Sequence, residues 1–209
     1  MITSINLFNK LREEILTGKL RRGYRLIEAE LCKKYKISRT PVRDSLIRLE
    51  MCGLVENLPN RGAFVTGLDP QEIEDIFKLR RLYEVQATAW AIERITDDEL
   101  EELEEIFEFM EFYTMKKDLA KMLNINENFH RKIHEATHNP MLIRTLAQYQ
   151  DFLYYSHKIE KQSIDEKNYL TDLLKEHGSI FSAFRARNPV EGAKAMERHL
   201  INSEIRRMG

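Results

Sequence analysis

The stretch that most restricts the fold is residues 38–68, "SRTPVRDSLIRLEMCGLVENLPNRGAFVTGL". Ser38 is a good N-cap residue and Pro41 falls in the first turn, where its missing amide does no harm, so we expect a helix that starts near Ser38. After Gly53 the pattern changes to short apolar segments separated by "LPNRG", which predicts a two-stranded ribbon. Arg61 and Gly62 would lie at the tip of this ribbon.

Two further helical patterns precede this stretch. Leu7, Leu11 and Ile15 recur every four residues, and Leu31 and Tyr35 have the same spacing. The order helix, helix, basic helix, ribbon is typical of a winged helix-turn-helix, in which the third helix enters the major groove of DNA.

The third helix has two different faces. Val42, Leu46 and Leu49 form its apolar stripe, which leaves Arg39, Thr40 and Arg43 on the outer face. An arginine can bond O6 and N7 of guanine together, while a wing contacts the backbone or the minor groove. A single arginine is more simply interpreted as part of a solvated face, but these residues and the tip of the ribbon together favour contact with DNA.

The charge of the chain is distributed unevenly. Residues 1–68 carry 13 Lys+Arg and 7 Asp+Glu, a net charge of +6, whereas residues 69–209 carry 20 and 27, a net charge of −7. The basic third is therefore expected to meet a polyanion and the acidic remainder is not.

The apolar runs and the cysteines exclude other classes of protein. No apolar run approaches the ~18 residues of a membrane span, and the N-terminus becomes charged before a secretory core could form, so we expect a soluble cytoplasmic protein. Cys32 and Cys52 lie far apart without a C-x-x-C motif, which predicts two small core residues rather than a zinc knuckle or a disulfide.

Asp69 and Pro70 predict the start of a new helix and of a second domain, so that residues 1–68 and 69–209 form two domains. Thr96 with Glu99 has the pattern of a capping box, and no strand-like alternation follows. We expect a mainly α protein whose second domain is an antiparallel all-α bundle of about six helices, including one at 140–162.

All six histidines lie in this second part of the chain. Asn126 and His130 are four residues apart and share a helix face. His177 and His199 lie at equal distances on either side of Asn188, where the chain reverses, so an antiparallel hairpin brings them level. These four side chains could close on one divalent ion, because neutral imidazole is the commonest metal ligand.

A competing arrangement is the stripe of His130, His134 and His138 at spacings of four. Three histidines in a row on one helix cannot all surround one ion. We therefore expect His138 and His157 to be ordinary surface or hydrogen-bonded histidines, and leave His134 open.

The first part of the chain resembles the DNA-binding domain of GntR-type transcription regulators. The shared pattern is "SRTPVR…L.RLE..GLV…PNRGA.V", and one departure is Arg22, where the family usually has proline. The resemblance implies operator contacts by Arg39, Thr40, Arg43, Arg61 and Gly62. It also implies a homodimer on an inverted-repeat site in double-stranded DNA.

The rest of the chain resembles the FCD effector domain of the FadR subfamily, through "NENFHRKIHEATHNPML" and "KEHGSIFSAFRARNPVEGAKAMERHL". Many such domains bind a metal through an Asp and three His, which match Asn126, His130, His177 and His199. Asn126 replaces the usual Asp and brings no negative charge. With three imidazoles retained, we expect zinc or a similar transition ion.

The resemblance further implies a small organic acid as effector, with Arg80 as the residue that pairs with its carboxylate. The alternative for Arg80 is a bridge to a neighbouring glutamate. We therefore expect a ligand-responsive transcription regulator. A regulator that responds to the metal alone and one with a metal-free effector site remain open, while a metal-dependent enzyme is disfavoured because no general base accompanies the histidines.

Overall fold

The computed structural model describes residues 4–59, 61–66, 70–147 and 166–208. Within these residues the chain divides into two compact units, one that ends at residue 73 and one that begins at residue 74. Each unit has its own hydrophobic core.

The first unit contains three helices and a small sheet: α1 (Ser4–Leu16), β1 (Arg25–Leu26), α2 (Glu28–Tyr35), α3 (Arg39–Met51), β2 (Val55–Leu58) and β3 (Gly62–Val65). The strands are antiparallel in the order β1-β3-β2, and Phe64 of β3 lies between Arg25 of β1 and Glu56 of β2. The winged helix-turn-helix is confirmed, and β1 is a third strand that the sequence pattern did not predict.

The apolar stripes of the three helices form the core of the first unit, since the residues predicted for them are buried: Leu7, Leu11, Ile15, Leu31, Tyr35, Val42, Leu46 and Leu49. Ser38 is the N-cap of α3, although its side chain makes no capping hydrogen bond. The prediction for Cys52 was wrong: this cysteine is exposed, because α3 ends at Met51 and Cys52 lies beyond the last turn. Cys32 is partly buried.

The second unit is helical throughout its described residues. Its helices are α4 (Pro70–Arg94, whose first turn belongs to the first unit), α5 (Asp97–Lys116), α6 (Leu119–Ala136), α7 (140–147), α8 (Glu166–Arg185) and α9 (Pro189–Met208). The predicted all-α bundle is confirmed. The remainder of the predicted helix 140–162, together with Asp69 and His157, lies outside the described residues.

Caps define the short connections between these helices. The Thr96 hydroxyl accepts a hydrogen bond from the Glu99 amide at 3.2 Å, and a Glu99 carboxylate oxygen accepts one from the Thr96 amide at 3.0 Å. The predicted capping box is thus present at the start of α5. Asp118 caps α6 in a similar way, accepting from the Lys121 amide at 3.1 Å.

Two helix pairs, α5 with α6 and α8 with α9, pack side by side, and α8 also packs on α5. Helix α9 approaches α4 closely at Gly192, where an added Cβ atom would lie 2.1 Å from Cδ1 of the buried Ile92. The absence of a side chain at Gly192 therefore permits this packing, by which buried polar residues of α4, α6, α8 and α9 meet in the bundle.

Candidate nucleic-acid interface and metal centre

The N-terminal half of α3 presents the polar face that its sequence predicts. Arg39, Thr40 and Arg43 are exposed, because Val42, Leu46 and Leu49 turn the opposite face of the helix into the core. Arg43 contacts a second helix: its Nε donates to both carboxylate oxygens of Glu28 on α2, at 2.9 and 3.0 Å. The structure thus brings the three predicted residues onto one surface.

The wing carries a second group of positive charge. Arg61 and Gly62 are exposed, and Gly62 has a φ of +93°, a conformation that favours glycine. The guanidinium of Arg61 lies 5.9 Å from the ring centroid of Phe64, and that of Arg25 lies 5.8 Å from the same ring. The sequence did not indicate Arg25 as part of this surface, because its strand has only two residues and shows no alternation of apolar and polar side chains.

Three buried histidines from three helices meet in the second unit. His130 of α6, His177 of α8 and His199 of α9 are each no more than 3% exposed. The Nε2 atoms of His130 and His199 are 3.2 Å apart, and the ring centroids of His177 and His199 are 4.4 Å apart. One ring nitrogen from each of the three lies within 4.8 Å of the others. The hairpin about Asn188 therefore brings His177 and His199 together as the sequence predicts.

The partners of the Nδ1 atoms determine which ring nitrogens carry hydrogen. His177 Nδ1 lies 2.7 Å from the carbonyl oxygen of Leu173, and a carbonyl can only accept, so Nδ1 donates. His130 Nδ1 lies 2.7 Å from Glu84, and His199 Nδ1 lies 2.8 Å from Glu176, both of them carboxylates. In the neutral state all three Nε2 atoms are therefore acceptors.

This arrangement fits a metal ion better than a hydrogen-bond network. Two acceptors at 3.2 Å cannot bond each other, and His177 Nε2 is buried without a hydrogen-bond partner. Asn126 Oδ1, one turn before His130 on α6, is likewise buried and unpaired. Two nitrogens bound to a tetrahedral zinc at its usual distance are about 3.3 Å apart, close to the spacing of His130 and His199. The predicted set of three histidines and Asn126 is compatible with such an ion.

Two carboxylates that were not predicted from the sequence accept hydrogen bonds from the Nδ1 atoms of His130 and His199. Glu84 on α4 is buried and accepts from His130 and, at 2.5 Å, from Arg80 Nε. Glu176 on α8 accepts from His199, Asn202 and both terminal nitrogens of Arg206. Carboxylates that orient metal-binding imidazoles in this way fix the tautomer and raise the basicity of the ligand.

The other candidates occupy different places. Arg80 bridges to Glu84, the alternative left open above. His134 is buried with Nε2 3.4 Å from Glu84, so Glu84, His130 and His134 form a second possible group of metal ligands. That group is less suitable, because Arg80 and His130 already occupy the oxygens of Glu84. His138 is exposed and paired with Glu99 at 2.9 Å.

Burial keeps the histidines neutral. Loss of solvent lowers the pKa of His130 and of His199 from 6.5 to about 4, against the opposing effect of their carboxylate partners. Burial and the neighbouring His199 also lower the pKa of His177. Burial alone would raise the pKa of Glu176, but hydrogen bonds from Arg206 and His199 lower it to about 2. At neutral pH the site thus combines neutral imidazoles with ionised carboxylates.

These shifts predict an acid-sensitive metal-free protein. In the unfolded chain these histidines take up protons below pH 6.5, whereas in the folded protein His130 and His199 have a pKa of about 4. Between these two pH values the unfolded state binds more protons, so acid favours unfolding. We expect the free energy of unfolding of metal-stripped protein to fall between pH 6.5 and 4, by roughly 3 kcal/mol for one such histidine. Urea unfolding across this range measures it. A flat profile would contradict the shifts, and His199→Gln should make the profile shallower.

No described helix combines the length and apolar character needed to cross a bilayer.

Comparison with known proteins identifies both parts of the chain. The profile of bacterial regulatory proteins of the gntR family matches residues 3–65, and the FCD domain profile matches residues 75–202.

Individual relatives agree with these matches. The chain is 27% identical to the HTH-type transcriptional regulator YdhC of Bacillus subtilis over 192 residues, which are 91% of this chain and 84% of that protein. It is 30% identical over 149 residues to the Nta operon transcriptional regulator of Aminobacter aminovorans, with 68% of each covered. The structure of Escherichia coli McbR/YncC has the same fold, with a TM-score of 0.76 at 22% identity over 100% of this chain and 98% of that one. The matched families and relatives are transcription regulators and not enzymes, and the chain therefore belongs to the GntR family of DNA-binding transcription regulators, with an FCD effector domain.

Proposed function

We propose that this regulator binds an inverted-repeat operator as a homodimer, and that a metal-assisted pocket for a small organic acid adjusts its DNA affinity. Residues 1–68 are assigned to DNA binding, and residues 69–209 to effector binding and dimerisation. The observation that carries the pocket is the cluster of three buried histidines, whose ring nitrogens lie within 4.8 Å of one another and in which His177 Nε2 has no hydrogen-bond partner.

The DNA-binding role of the first unit is supported by its surface. Arg39, Thr40 and Arg43 lie together on the exposed face of α3, while Arg61 and Gly62 form the exposed wing. In the proposed complex α3 reads base edges in the major groove and the wing contacts the backbone or the minor groove. Two copies in a dimer place two such helices in successive grooves.

In the second unit, His130, His177, His199 and Asn126 would hold the ion. Three nitrogen ligands and a neutral amide oxygen suit zinc or a similar transition ion better than magnesium or calcium, which prefer carboxylates. A bound ion would supply Lewis-acid attraction for a carboxylate. Glu84 and Glu176 orient the imidazoles, and burial among Phe129 and neighbouring side chains limits the access of water.

Arg80 is proposed to meet the carboxylate of the effector. Its Nε is occupied by Glu84, but within the described part of the chain its two terminal nitrogens have no hydrogen-bond partner. The positive charge of Arg80 also helps to lower the pKa of His130 and of His199, after the larger effect of burial. Arg80 and His130 also bond the two oxygens of the same carboxylate, Glu84, so the guanidinium lies beside the histidine cluster.

Operator affinity tests the proposal directly. An operator selected from random DNA by metal-stripped and zinc-loaded protein would be titrated in three states: metal-free, with zinc, and with zinc plus a chelating dicarboxylate such as malate. We expect the dicarboxylate to change operator affinity by roughly 5- to 150-fold, the usual range of allosteric coupling. A matched monocarboxylate such as acetate serves as the control.

The other outcomes separate the competing functions. A response to zinc alone, with none to any carboxylate tried, would favour a metal-responsive regulator. A response to the dicarboxylate in the metal-free state would favour a metal-free effector site, consistent with Asn126 in place of a charged ligand. Failure to select any DNA sequence would contradict the proposal itself.

A further inference from the structure

Arg43 is held by a glutamate from another helix. Its Nε donates to both oxygens of Glu28, at 2.9 and 3.0 Å, although the two residues are 15 positions apart. Glu28 is the first residue of α2, and Arg43 lies one turn into α3. This contact therefore joins the two helices of the helix-turn-helix at its exposed surface.

The contact leaves free the part of Arg43 that reads DNA. A guanidinium has five N–H groups, and the Nε group is the one that Glu28 occupies. Within the described residues Nη1 and Nη2 have no hydrogen-bond partner. Those two nitrogens form the edge that bonds O6 and N7 of guanine together. Glu28 thus contacts the inner edge of the guanidinium and leaves its outer edge available.

The stability of the fold does not account for this pair. Both side chains are exposed, 61% for Arg43 and 37% for Glu28, and ion pairs between such groups contribute little to folding. A carboxylate at the first position of α2 is favoured by the helix dipole, but Glu30 in the same turn meets that preference without any contact to Arg43. Near a phosphate backbone, the negative charge of Glu28 opposes binding in general.

We propose that Glu28 is a specificity-determining residue that orients Arg43 for guanine recognition. A long arginine side chain that samples many rotamers loses their entropy when it binds, and an oriented one loses less. Glu28 therefore improves reading of the correct base pair while it weakens attraction to DNA of any sequence. This inference rests on the proposed DNA contact of Arg43.

The experiment compares Glu28→Ala with Glu30→Ala in the full-length protein. Both variants remove one negative charge from the first turn of α2, but only the first releases Arg43. For each protein we would measure the affinity for the selected operator, for operators changed at single base pairs, and for unrelated DNA, at one salt concentration. Arg43→Ala and the double variant complete a thermodynamic cycle.

We expect Glu28→Ala to lower the ratio of operator affinity to unrelated-DNA affinity about tenfold, the range of one bidentate base contact. The loss should fall at the same base pairs that Arg43→Ala affects, and affinity for unrelated DNA should stay equal or rise. Glu30→Ala should change the ratio less than twofold. In the Arg43→Ala background, Glu28→Ala should have no further effect on the ratio.

Each other outcome has a defined meaning. An unchanged ratio in Glu28→Ala, with a reduced ratio in Arg43→Ala, would overturn the orienting role and leave the proposed function standing. Equal losses in Glu28→Ala and Glu30→Ala would show that the effect comes from the negative charge in the first turn of α2. That result would also overturn the orienting role of Glu28. An unchanged ratio in Arg43→Ala would mean that the proposed DNA contact itself is wrong.

Discussion

Arg43→Ala is expected to cause a large loss of operator affinity, greatest at the base pairs that Arg43 contacts. One bidentate arginine contact with guanine contributes about 1–3 kcal/mol of discrimination, and a dimer would lose it in both half-sites. The predicted loss of affinity is therefore roughly 30-fold or more. Fluorescence anisotropy with labelled operator at constant ionic strength measures it, since binding to DNA depends steeply on salt.

Arg48→Ala is the matched control for this prediction. Arg48 is an exposed arginine of the same helix, paired with Asp44 at 3.1 Å and placed on a different side of α3. Its removal changes the charge of the protein equally, so it corrects for general electrostatic attraction. Operator affinity that falls equally in both variants would contradict base reading by Arg43.

The second large effect is expected for bound metal. Protein purified without a histidine tag should contain about one equivalent of zinc or a similar ion per chain, and His177→Ala should contain almost none. Removing one of three nitrogen ligands leaves too few for a stable site. The wild-type protein should also gain several degrees of melting temperature on addition of zinc, because an ion that binds only the folded state stabilises it.

His138→Ala is the control for the metal prediction, because His138 is exposed and paired with Glu99 away from the three histidines. Circular dichroism should show that His177→Ala remains folded, and His199→Gln provides a second variant if it does not. Equal metal content in wild type and in both site variants would show that the ion lies elsewhere. Absence of metal from all proteins, even after zinc addition, would contradict the site.

The positions of the histidines were predictable because they follow from helix geometry. The spacing of four between Asn126 and His130, and the reversal at Asn188, required only regular helices and a short turn. The helix bounds followed from caps such as Thr96 and Glu99, whose chemistry is local. The pairing of β1 with β3 was not predictable, because it depends on a contact between segments that are distant in the chain.

The carboxylates were harder to identify. The chain contains 34 Asp and Glu residues, and no pattern marks Glu84 as one of the few that are buried. Its burial depends on Arg80 and His130, which come from two helices and compensate its charge. Glu176 had a local signal, since it directly precedes His177, but its bonds to Arg206 and His199 require α9 to lie alongside α8.

The contacts of Glu176 have a practical consequence for anyone who handles this protein. Arg206 lies in the last turn of α9, and both of its terminal nitrogens bond the carboxylate that orients His199. Proteolytic loss of the last turn of α9 would remove this arginine, and Asn202 and His199 would then be the remaining α9 donors to Glu176. Intact mass should therefore be checked before zinc affinities of different preparations are compared.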